Sequence, residues 1–98
     1  MNEIIKILQN YFTKIPISKA WIFGSYARGE QTSDSDIDIL ITYEKGFRPG
    51  VFGMVKIIEE LEELVGKKID LVEENQLYPR IAKEIETQKI MIYERNHS

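Results

Sequence analysis

The sequence predicts a two-layer α/β domain, a small mixed β-sheet with helices packed on one face. Three observations carry this. Residues 21–41 hold two apolar strand runs joined through a Gly-Ser turn. Val51 to Val65 places Val51, Met54, Val55, Ile58, Leu61 and Val65 at i, i+3, i+4 spacing, the stripe of an amphipathic helix. Lys67 to Glu73 then alternates as a third strand, so helices and strands interleave along the chain.

The elements follow in order. Ile4, Ile5, Leu8, Tyr11 and Phe12 recur at helical spacing, which predicts a first helix over Asn2 to Tyr11 with Asn2 as N-cap and a packing role only. Pro16 ends it, and Ile17 to Phe23 reads as the first strand. After the Gly24-Ser25 turn and a short helical or looped segment, Ile37 to Ile41 forms the second strand. Residues 43–50 hold two glycines and a proline and read as a mobile loop, in which Lys45 and Arg48 are solvated. The 51–65 helix stops at Gly66, and its outer glutamates (Glu59, Glu60, Glu62, Glu63) form a wet face. Leu77, Ile81 and Ile85 share one face of a last helix starting near Asn75 or Pro79, and Lys89 to Tyr93 closes the chain as a short strand.

Strand alternation turns Ile37, Ile39 and Ile41 to a core and leaves Asp36 and Asp38 together on the opposite face. Two carboxylates that close, with no Lys or Arg between them, need a cation or a shared proton. Magnesium suits them, because it takes oxygen ligands and is usually held by one or two carboxylates plus substrate phosphates. Gly24 lets the backbone turn sharply and a ligand approach closely. If Ser25 opens a helical turn, its N–H groups and hydroxyl form a phosphate cradle. Together these make a site for a nucleoside triphosphate and an in-line attack on phosphorus. Arg28 is placed equally well to touch triphosphate oxygens or to pair with a local carboxylate and hold the loop. Asp34 reads as a turn-former, and neither Ser33 nor Ser35 has a base partner. Asp70 joins Asp36 and Asp38 as a third carboxylate if its strand lies beside theirs; otherwise it is a surface residue of an edge strand.

Gly24-Ser25, ten intervening residues, then Asp36-Ile37-Asp38 resembles the G-S-x10-D-x-D signature of the DNA-polymerase-β-like nucleotidyltransferase superfamily. The longer string G-S-Y-A-R-G…S-D-I-D-I-L resembles its minimal members, the MNT proteins of prokaryotes, over nearly the whole chain. The resemblance implies the two-layer polymerase-β-like nucleotidyltransferase fold, with Asp70 completing the acid triad. On that reading Gly24, Ser25 and Arg28 contact ATP. Asp36 and Asp38 hold two Mg²⁺ ions, and Asp70 holds one of them and takes the proton of the attacking hydroxyl. The resemblance also supplies a partner: MNT proteins commonly act as antitoxins that adenylylate a tyrosine of a HEPN-type ribonuclease toxin. The alternative is a non-catalytic module that neutralises its partner by complex formation.

Composition bounds these readings. At 98 residues the chain is expected to be one minimal domain, 1–98, with little surface left to enclose an acceptor, which favours a protein acceptor over an aminoglycoside or other small molecule. The formal charge of −3 argues against broad nucleic-acid binding. No cysteine is present, which excludes disulfides and thiolate zinc sites and fits a cytoplasmic protein. The N-terminal stretch mixes Glu3 and Lys6 among its apolar residues, so no signal peptide or membrane span is expected. His97, the single histidine, is expected to be inert.

Overall fold

A computed structural model describes residues 2–96 of the chain. His97 lies outside the described residues. The elements are α1 (Asn2–Phe12), β1 (Ile17–Phe23), α2 (Gly24–Arg28), β2 (Ile37–Tyr43), α3 (Gly50–Val65), β3 (Ile69–Glu73), a 3-10 turn (Glu74–Gln76), α4 (Pro79–Glu86) and β4 (Ile90–Glu94). They make one mixed four-stranded sheet of order β3-β2-β1-β4. β1 runs antiparallel to both β2 and β4, whereas β2 and β3 are parallel and joined through α3. No helix among the described residues is long and apolar enough to cross a membrane.

The two faces of the sheet carry separate cores, the larger one holding Ala20, Ile22, Ile39 and Leu71 and the smaller one Trp21 and Leu40. Ile37, Ile39 and Ile41 are fully buried against Leu8 and Phe12 of α1 and Ile57 and Leu61 of α3. Each such side chain contributes about 1.5–3 kcal/mol through removal of apolar surface from water. Polar contacts tie the layers at their edges. The Tyr11 hydroxyl donates to the Glu60 carboxylate at 2.7 Å, joining α1 to α3. The Ile69 N–H, on the open side of β3, donates to Glu62 Oε2 at 3.0 Å. Glu60 and Glu62 therefore depart from the expected wet face: both hold neighbouring elements. Gly66 ends α3 with φ +76° and its N–H on the Glu62 carbonyl at 2.8 Å, as its position after the last apolar residue predicts.

The helices do not all share one face. α1 and α3 cover the isoleucine face as expected, but α4 lies on the other: its Ile85 packs with Trp21 and Leu40. Leu77 precedes α4 rather than belonging to it, although it packs on the same cluster, and Ile81 is 43% exposed. The reason is topological. A stripe spaced for a helix marks which residues are buried, and either face of a four-stranded sheet can receive it. The third strand starts at Ile69, two residues later than its alternation suggested, and the closing strand spans Ile90–Glu94.

Arg95 locks the far end of the chain to the start of the sheet. Its Nη2 donates to the carbonyls of Ile15 at 2.9 Å and Phe12 at 3.1 Å, and its Nε to Ile17 at 3.1 Å. α1 has no basic residue in its last turn, so this guanidinium supplies the positive charge and the donors that its C-terminal carbonyls lack.

Candidate active site

β2 positions the carboxylates. Asp38 stands opposite Phe23 on β1 and opposite Asp70 on β3, so Asp38 and Asp70 project from the same face of adjacent strands. Asp36 directly precedes β2 and is exposed, as is Asp70, whereas Asp38 is half-buried. Burial pushes the Asp38 carboxyl up to about 6. The Asp70 and Asp36 charges and a hydrogen bond with Asp70 act in the same direction, and Arg28 opposes them weakly. Asp70, in register beside it, and Asp36, two residues earlier, thus both act electrostatically on Asp38, on the face that α1 and α3 leave open.

Gly24 follows the residue paired with Asp38, and its backbone passes beneath that carboxylate. A Cβ at Gly24 would overlap the Asp38 carboxylate, and its φ of +71° is one that other residues rarely adopt. α2 begins at this glycine with no side-chain cap on its first turn, so the leading N–H groups stay available to an anion beside the acids. Tyr26 is buried in the main core and fixes the orientation of α2, which in turn fixes Ser25.

Arg28 makes the second of its two expected kinds of contact. Its Nε donates to Glu30 Oε1 at 2.8 Å, and its Nη1 to Gln88 Oε1 at 3.0 Å, while it stays within electrostatic reach of Asp38. Asp34 lies in a turn knitted by Thr32 and Ser35: the Thr32 N–H donates to Ser35 Oγ at 2.9 Å.

Beyond the acids the same face is roofed by α4. Lys89 lies 4.4 Å from the centroid of the Trp21 ring and pairs with Glu86 at 2.8 Å and Glu74 at 3.3 Å. Burial, the largest influence, opposes its charge, yet the two glutamates together raise its pKa. Sequence reasoning found neither Lys89 nor Gln88. Only the Glu86–Lys89 pair is local; the contact of Lys89 with Glu74 spans 15 residues and that of Gln88 with Arg28 spans 60.

Among the described residues, no three or more His, Cys, Asp or Glu side chains are gathered as a ready metal cage. The donors nonetheless suit a hard divalent cation. They are all carboxylate oxygens, and beyond burial the Asp70 and Asp36 charges add to the rise in the Asp38 pKa, a repulsion that a bound cation would relieve.

The geometry agrees with what known proteins show. A Methanocaldococcus jannaschii protein, provisionally named a protein adenylyltransferase, is 35% identical over 97 residues, covering 94% of this chain and 97% of its own. A solved structure described provisionally as a minimal nucleotidyltransferase matches with a TM-score of 0.73 and 29% identity, over 91% of this chain and 88% of that one. A Shewanella oneidensis complex of a tri-AMPylated HEPN toxin with an MNT antitoxin matches in fold, with a TM-score of 0.65 and 20% identity over 96% of this chain and 69% of that one. The family model described as polymerase beta, nucleotidyltransferase, matches residues 2–98. With the Gly24 turn under Asp38 and Asp70 beside it, the chain belongs to the polymerase β nucleotidyltransferase family.

Proposed function

We propose that this nucleotidyltransferase moves AMP from ATP to a tyrosine hydroxyl of a HEPN-type toxin and thereby acts as its antitoxin. The observation that carries the reading is the meeting of Asp36, Asp38 and Asp70 beside the uncapped start of α2. The names of the M. jannaschii relative and of the S. oneidensis complex support the protein acceptor.

In this reading Gly24 and Ser25 hold the β- and γ-phosphates, and Arg28 leaves Glu30 to meet a phosphate oxygen. Asp36 and Asp38 would hold two Mg²⁺ ions, with Asp70 on one of them. When bound, the ions supply charge neutralisation at the attacking and leaving oxygens. Asp70 takes the proton of the acceptor hydroxyl, whose oxygen bonds to the α-phosphorus as the bond to pyrophosphate breaks. The half-buried position of Asp38 keeps the developing charge out of bulk water, where each contact counts for more.

The test is incubation with labelled ATP, Mg²⁺ and a purified HEPN-type toxin, taken first from the product of the neighbouring gene. Label on a toxin tyrosine, lost in the Asp36→Asn/Asp38→Asn chain, is the expected result. If that double variant still neutralises the toxin at equal stoichiometry, neutralisation is by occlusion and the catalytic reading is wrong.

A further inference from the structure

A cleft of about 640 Å³ opens at the opposite end of β2 from the acids. Asp38 and Tyr43 are five residues apart along the strand, roughly 16 Å at about 3.3 Å per residue. The cleft is thus separate from the carboxylate site. Its apolar lining comes from Tyr43, Phe47 and Met54. The β2–α3 loop contributes Lys45 and Arg48 on one side, and the end of β3 contributes Glu73 on the other. Among the described residues these three charges make no ion pair.

The neighbouring helix adds a second observation. Next to the cleft, the first turns of α3 expose Val51 (78%), Phe52 (90%) and Val55 (44%). Phe52, in the first turn of α3, buries almost no apolar surface in the fold.

We propose that this cleft and the exposed edge of α3 form the docking groove for the protein acceptor, which presents a segment carrying an apolar side chain between a carboxylate and a cation. The carboxylate meets Lys45 and Arg48, and the cation meets Glu73. The apolar edge extends past the cleft, beyond what a small molecule of matching volume covers, so a protein segment is the occupant. The proposal rests on the protein-acceptor reading and adds where the acceptor is held: at a distance from the chemistry, leaving its hydroxyl free to reach Asp70.

The experiment measures binding of the purified HEPN-type toxin identified as the acceptor to the unsubstituted chain and to Phe52→Glu and Arg48→Glu, by calorimetry. Both side chains are exposed, so both variants are expected to keep the parent melting temperature and ATP affinity. Each is expected to raise the dissociation constant at least tenfold. Unchanged binding, or no binding by the unsubstituted chain, overturns the groove. So does sedimentation showing that Phe52→Glu turns a dimer of the chain alone into a monomer, since the edge then belongs to a second copy. Label transfer is read separately: binding without transfer keeps the groove and removes the adenylyl-transfer reading.

Discussion

Asp38 and Asp70 stand in register on adjacent parallel strands, where the Asp70 charge adds to burial in raising the Asp38 pKa. On the proposed reading the two carboxylates serve chemistry rather than stability. Replacing Asp36 and Asp38 together with Asn is expected to lower transfer at least ~100-fold, as loss of the groups that orient charge at phosphorus should. The melting temperature is expected to stay level or rise, because repulsion is removed. A fall of many degrees, read by calorimetry, would assign the acids a structural role.

The raised pKa of Asp38 sets a pH dependence. Its folded value, about 6, lies above its ordinary 3.8. The folded state therefore binds the proton more tightly, and this stabilisation is complete below about pH 4 and lost as pH rises through about 6. In EDTA the melting temperature is expected to drop between pH 4.5 and 6.5 more steeply for the parent than for Asp38→Asn. Adding Mg²⁺ at pH 7 is expected to raise it again for the parent only, as mass action on the folded state requires.

Gly24→Ala places a methyl group where the Asp38 carboxylate lies and holds a positive φ. The expected cost is about 1–3 kcal/mol of stability. Transfer is expected to fall by more than that loss of folded protein accounts for, because Asp38 is displaced. Single-turnover rates normalised to folded protein check this.

Arg28 separates binding from packing. If it turns from Glu30 and Gln88 to phosphate, Arg28→Ala loses a charge-assisted contact of about 1.5–3 kcal/mol, and the KM for ATP rises roughly tenfold or more. Gln88→Ala removes only the resting contact, so its KM is expected to stay within about twofold. Equal effects from both variants would mean that Arg28 only holds the loop.

Arg95→Ala removes the donors on the carbonyls of Phe12, Ile15 and Ile17. Leaving such groups unpaired is expected to cost about 2–4 kcal/mol and to lower the melting temperature by about 10–25 °C for a domain of this size. The KM for ATP of the folded fraction is expected to be unchanged, since Arg95 lies at the opposite end of β1 from Gly24.

Much of this was legible in the residues. The alternation around Asp38, the glycine before Ser25 and Asp70 in the 69–73 strand could be read ahead of the structure, because strand period and turn chemistry are local properties. What escaped depends on chain segments far apart. Arg95 finds carbonyls some 80 residues away, Gln88 finds Arg28, and the choice of sheet face by α4 is settled by Trp21 and Leu40 together. Glu62 shows the same limit within one helix: its spacing marks it as outward, but the edge of β3 gives it a partner.

The connection through α3 has one more effect. Asp38 and Asp70 belong to strands that pair only after an entire helix has crossed between them. On the proposed reading, a chain still emerging from the ribosome, or one that has lost that crossover, owns half of the acid set and would be silent. Labelling of the acceptor would then count completed molecules alone, a built-in gauge of native topology that no tag or dye has to provide.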